Sequence, residues 1–197
     1  MKYVRLFMVV SAVLATIGAT SGFASPDQAT PARASDVQRV NWGDVTIPGQ
    51  LCKVSGPIRL HNGLATVSHG GYGSPTYVDA TLVVHGNLGH GLHVTTLQTF
   101  CAVSGTADGQ VSEGVFVFDS PAGAAHLLGT LTPTYFPKST DHIPYLAVDH
   151  IDSSGHIATT EYWYSPVDPT CCPTGRAYTV WKWTGHGFVP GHTTIAG

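Results

Sequence analysis

Charge is what this chain has least of. Only 11% of its 197 residues are charged, with 9 Lys and Arg against 12 Asp and Glu. Beyond residue 24 the basic residues are Arg33, Arg39, Lys53, Arg59, Lys138, Arg176 and Lys182. They are scattered and form no stripe that could follow a phosphate backbone, which disfavours nucleic acid as a partner. Motifs that announce a reaction are also missing. There is no phosphate-cradling G-x-x-x-x-G-K-[ST], no G-x-S-x-G elbow and no H-E-x-x-H. After the N-terminal segment no 3.6-residue apolar stripe appears, which excludes a helical bundle. No fixed-period repeat appears either, which excludes a solenoid.

What the chain has in quantity is glycine and proline, 23 and 13 residues, and these suit many short strands joined by tight turns. Residues 1–24 read as a secretory signal: Lys2 and Arg5, then the apolar run Leu6 to Ile17, then the small-x-small site Gly22-Phe23-Ala24. The run is shorter than the roughly 20 apolar residues of a spanning helix. No transmembrane segment is therefore expected after cleavage. Loss of the two basic residues takes the formal charge from −3 to −5. Residues 25–39 are Ser/Pro/Ala/Asp-rich and read as a flexible linker. Residues 40–197 are expected to form one all-β domain: a single antiparallel unit of about ten short strands, a sandwich or partly closed barrel, with a blade-like module as the alternative.

Several strands are legible. Ile58 to His61 and Leu64 to Val67 flank Asn62-Gly63, which suits a type I′ hairpin turn. Tyr77 to His85 alternates, with Val78, Ala80, Leu82 and Val84 on one face. Leu92 to Val103 carries Cys101, and Val111 to Asp119 puts Phe116 and Phe118 together. His126 to Thr132 follows. Tyr145 to Asp152 and Ile157 to Tyr164 flank Ser153-Ser154-Gly155 as a hairpin. Ala177 to Trp183 alternates, with Thr179, Trp181 and Trp183 opposite Tyr178, Val180 and Lys182. Between the last two strands lies the turn-rich segment Ser165 to Arg176, with Cys171 and Cys172 adjacent.

The aromatic residues on these two strands suggest a recognition surface. Tyr162, Tyr164, Trp181 and Trp183, with Arg176, are the expected binding residues, because aromatic faces carry many sugar and protein contacts. The four cysteines, Cys52, Cys101, Cys171 and Cys172, are expected as disulfides in an exported chain and allow three pairings. A bridge between adjacent cysteines must close over a Cα–Cα separation of about 3.8 Å, below the usual range of about 4.4–6.8 Å. That strain favours crossed pairing, with Cys171 and Cys172 reaching Cys52 and Cys101.

Other chemistry is thinner. Histidine is abundant, at eleven residues. His85, His90 and His93 flank one turn and are the candidates for a metal, since imidazole clusters suit zinc, copper or nickel. A metal-dependent or other hydrolase using them is the competing reading. Ser68-His69-Gly70-Gly71 resembles the S-H-G-C motif of L,D-transpeptidases, but Gly71 stands where the nucleophilic cysteine would be. Asp149, Asp152 and Glu161 are carboxylates that an acid–base pair would need, without a cleft to bring them together.

The run Asp168-Pro-Thr-Cys-Cys-Pro-Thr-Gly-Arg-Ala-Tyr-Thr-Val-Trp181 resembles the D-x-x-C-C-P-S-G-R-x-x-T-x-W segment of secreted actinobacterial proteins related to the LppP/LprE lipoproteins. Ser104 to Gln110 is similar to that family's G-G-T-A-D-G-Q run. His126 to Pro133 is similar to its L-x-x-L-G-x-L-T-P strand. The resemblance implies an extracytoplasmic envelope protein and supplies no catalytic residues. The family's acidic G-D-L-T-G-D-G-x-D-E-A loop is replaced here by Gly86-Asn87-Leu88-Gly89-His90-Gly91-Leu92-His93-Val94-Thr95. Calcium needs oxygen ligands and negative charge, which this run lacks. The expected function is a secreted or cell-envelope, non-catalytic β-module that binds a cell-wall glycan or an envelope protein, with no cofactor.

Overall fold

The computed structural model describes residues 34–103, 109–137, 142–169 and 172–196. The expected signal (1–24), most of the expected linker and the Ser104 to Asp108 part of the family-like run lie outside the described residues. The described chain is all-β apart from a one-turn helix, α1 (Ala34–Val37), and short 3-10 turns. Twelve described strands form three antiparallel sheets. The first is a pair, β1 (Thr46–Pro48) and β2 (Pro57–Arg59). The central sheet runs in simple order through β3 (Leu64–Val67), β4 (Thr76–Asn87), β5 (His93–Ala102), β6 (Gln110–Asp119) and β7 (His126–Leu131). The second large sheet contains β8 (Tyr145–Asp152), β9 (His156–Trp163), β10 (Gly175–Trp183), β11 (Phe188–Pro190) and β12 (Thr194–Ala196). Both β11 and β12 pair with β10, so no barrel closes.

The central sheet is covered on both faces. One face takes Val78, Ala80, Leu97, Cys101, Phe116 and Phe118 against an N-terminal layer of Val37, Trp42, Ile47, Ile58 and Leu60. The other takes Val94, Val115, Val117 and Leu131 against Leu146, Ile157 and Trp181 of the second sheet. The result is sandwich-like, with an irregular third layer. Double coverage explains why Thr95, Thr96, Gln98 and Thr99 of β5 are all buried although alternation alone would send half to water. Each needs a local partner, because an unpaired buried polar group is costly. Thr95 Oγ1 lies 2.9 Å from His85 Nδ1, and Gln98 Nε2 donates to Glu113 Oε1 at 2.7 Å.

Three expectations need correction. The folded part begins inside the expected linker: Val37 is buried in the first core, and Trp42 Nε1 donates to its carbonyl at 3.1 Å. The Asn62-Gly63 turn forms with φ of 52° and 81°, yet the hairpin ladder stops at one bridge, His61 to Leu64. Beyond it β2 pairs with β1 and β3 pairs with β4, in different sheets. In β4 a bulge between Asp79 and Leu82 shifts the alternation. Val83 therefore turns inward, and Leu82 is half exposed rather than core.

Candidate functional site

The end of the second sheet near Gly175 carries the candidate site. β9 and β10 pair as expected, with Gly175 opposite Trp163, Arg176 opposite Tyr162, and Trp181 opposite Ile157. This register sorts the side chains by face. Trp181 points inward, 5% exposed within the second core, and its Nε1 donates to Thr159 Oγ1 at 3.2 Å. Trp183 packs against the same core, its ring 4.9 Å from that of Phe188. Tyr164, just past β9, is buried and lies 4.8 Å from the His142 ring. Trp181, Trp183 and Tyr164 are therefore packing residues, not the expected surface, because the sandwich covers the face that the tryptophans occupy.

Tyr162 and Arg176 do come together on the opposite face. Tyr162 stacks on Tyr145 with centroids 4.8 Å apart at 17°, and the Arg176 guanidinium lies 5.6 Å from the Tyr162 centroid. Tyr178 continues that face and is 43% exposed.

Beside this row is a hollow of about 610 Å³, lined among others by Tyr135, Trp163, Gly175, Arg176, Tyr178 and Ile195. The size falls within the range of about 300–1,000 Å³ typical of small-ligand sites. Gly175 makes its wall possible. A Cβ there would sit 2.2 Å from the Trp163 indole, so only glycine lets the indole lie over the β10 backbone. The Tyr135 ring meets Trp163 edge-on at 5.5 Å and 63°. The Trp163 Nε1 is buried and has no hydrogen-bond partner. Nothing in the alternation of β9 singles Trp163 out from Tyr162, and Tyr135 lies in a segment without periodicity.

Tyr135 is held by a buried carboxylate. Glu161, fully buried on β9, accepts from the backbone N–H groups of Thr134 and Tyr135, both at 2.8 Å. It also accepts from the hydroxyls of Thr134 at 2.7 Å and Thr179 at 2.8 Å. Thr193 joins these hydroxyls at 2.6 and 2.9 Å, which ties the segment before β12 to the same point. Four donors on one carboxylate make it an anchor for the 134–135 segment. The other two candidate acids are engaged elsewhere. Asp149 accepts from Thr160 Oγ1 at 2.8 Å, and Asp152 accepts from the N–H groups of Ser154 and His156 in the hairpin turn.

The segment between β9 and β10 is closed by Asp168. Its carboxylate accepts from the backbone N–H and the hydroxyl of both Ser165 and Thr174, at 2.8–3.0 Å. Those bonds, led by the Thr174 N–H, hold its pKa down to about 2. In the family-like motif, the aspartate and the hydroxyl residue before Gly-Arg thus form one closed turn that delivers Arg176. The cysteines correct the crossed pairing. Cys52 and Cys101 bridge each other, both wholly buried, and staple the N-terminal layer to β5. With those two joined, neither can take a partner from the Cys171-Cys172 pair. Cys172 is also disulfide-bonded, and Cys171 lies outside the described residues.

A second carboxylate sits at the seam between the large sheets. Glu113 of β6 accepts from Gln98, from Gln110 and from the backbone N–H of Leu146 in β8 at 3.1 Å. Burial raises its pKa to about 8, against the opposing pull of those hydrogen bonds. Sequence gave no sign of it, since a lone Glu in a strand ordinarily faces water.

The histidine candidates do not converge. His85 bonds Thr95 and lies 6.3 Å from the Trp42 ring, His90 sits in the turn at φ 50°, and His93 opens β5. Among the described residues no three His, Cys, Asp or Glu side chains group as metal ligands. The Asn87–Gly91 turn instead packs: Asn87 Oδ1 accepts from Gly89 N at 2.7 Å, and Leu88 is buried in the second core. Searches against protein-family models, curated proteins and solved structures found nothing that matches this chain.

Proposed function

We propose that this chain is an extracytoplasmic, non-catalytic β-module, related to the LppP/LprE-like proteins, that binds an envelope glycan at the Tyr135–Trp163–Tyr178 hollow. The observation that carries the reading is a concave, aromatic-lined site held by scaffolding rather than by reactive groups. Glu161, Asp168 and the threonines around them spend their hydrogen bonds on positioning the walls. Aromatic walls with a few placed polar groups suit the apolar faces and hydroxyl edges of sugars. Export is supported by the leader-like N-terminus and by the Cys52–Cys101 bridge, since disulfides persist in oxidising compartments. Among the described residues no helix is long and apolar enough to cross a membrane.

The test is co-sedimentation of the purified protein with insoluble cell-wall polysaccharide. The expected result is binding that is lost in Trp163→Ala and Tyr178→Ala, with folding checked by circular dichroism. Equal binding by both variants would place the contact elsewhere and end the assignment of this site.

A further inference from the structure

We infer that the hollow selects sugars bearing a carboxylate, with Arg176 as the residue that reads the charge. This rests on the glycan-binding reading above and goes beyond it by naming the ligand class. Arg176 is exposed and lines the hollow directly. None of the ion pairs among the described residues includes it; they join Arg39 with Asp36, and His61, His126 and His156 with Asp44, Asp119 and Asp152. Its guanidinium is placed over the Tyr162 ring, and that ring is itself stacked on Tyr145. A planar cation resting on an aromatic face keeps its N–H edge for a ligand. That fork matches a carboxylate in bidentate geometry, which a neutral sugar cannot reproduce. The nearest acid along the chain, Asp168, is committed to Ser165 and Thr174. With a formal charge of −3 the chain repels anions in general, so a cation outside every ion pair among the described residues, set beside an aromatic hollow, gives an acidic sugar local attraction. Trp163, whose buried Nε1–H has no hydrogen-bond partner, lines the same hollow.

The probes are trigalacturonate and its fully methyl-esterified form, which share one carbohydrate skeleton and differ in charge. Isothermal titration with the full chain is expected to show the acid bound at least about tenfold tighter than the ester, the size of one charge-assisted hydrogen bond. Arg176→Gln is expected to remove the preference by weakening binding of the acid at least about tenfold, to the level of the ester. Arg176→Lys is expected to restore part of it, because the charge remains and the fork does not. Equal affinity for acid and ester overturns the inference and leaves the glycan reading intact. A preference that survives Arg176→Gln overturns the assignment to Arg176. Binding of neither sugar alongside binding of a tripeptide with a free C-terminal carboxylate overturns both readings.

Discussion

The two faces of the central sheet are covered in different ways. On one face the cover is an N-terminal layer with little regular structure: α1, short 3-10 turns and the β1–β2 pair. It is fastened by a buried covalent bridge from Cys52 to Cys101 across 49 residues. On the other face the cover is a full antiparallel sheet, joined through apolar packing and through carboxylates that reach across elements, Glu113 to Leu146 and Glu161 to Thr134 and Tyr135. The layer with few ladder hydrogen bonds uses a crosslink. The layer with a ladder uses buried polar anchors, and it is the one that carries the hollow. Polar anchors fix position to within a hydrogen bond, which suits a site better than a non-directional apolar contact does.

The largest expected effect tests the polar seam. Glu113 holds its proton in the folded state up to about pH 8, whereas the unfolded chain releases it near 4.5. The native state thus binds the extra proton between those values, so the Glu113 contribution to stability is full below about 4.5 and is lost as pH rises to about 8. The shift is worth on the order of 3–5 kcal/mol at about 1.4 kcal/mol per unit. Urea unfolding of Glu113→Gln is expected to lose most of this slope and to be the more stable protein at pH 9. A slope unchanged by the substitution would mean that Glu113 does not carry the penalty. Asp168 acts in the opposite window: its depressed pKa gives stability above about 3.8 that is lost as pH falls toward 2.

The crosslinked face comes next. Replacing Cys52 and Cys101 together by alanine is expected to cost about 4 kcal/mol by the chain-entropy account, through a freer unfolded state. Tryptophan fluorescence should then report earlier loss of the Trp42 environment than of Trp181. Simultaneous loss would show that the two faces unfold as one unit. Glu161→Ala is expected to cost about 3 kcal/mol, since two backbone N–H groups and two hydroxyls lose their acceptor. Its sharper signature is faster hydrogen exchange at Thr134 and Tyr135 with the first core unaffected. The smallest effect concerns the bulge. Leu82→Thr is expected to change stability by less than about 0.5 kcal/mol, because Leu82 is half exposed, whereas Val83→Thr should be clearly destabilising. Equal effects would contradict a register shift between Asp79 and Leu82.

Much of the second sheet was legible. The β8–β9 turn, the β9–β10 pairing and the split of Trp181 from Tyr178 all follow from period-two alternation bounded by turn residues. The choice of face was not legible. Trp181 and Trp183 looked as suited to a surface as Tyr162, because alternation gives two faces and does not say which one another sheet will cover. Glu161 had the same ambiguity: its burial depends on donors from Thr134, 27 residues away in sequence.

By itself the sequence determined an antiparallel all-β fold, the β8–β9 and β9–β10 pairs, the short turns and an even set of cysteines, because these depend on neighbours along the chain. Tertiary structure decided which faces are buried, that Cys52 takes Cys101, that Glu113 keeps its proton, and that Tyr135 meets Trp163 across Gly175. Each of these joins residues from separate strands or segments, and local periodicity carries no information about which separate elements meet.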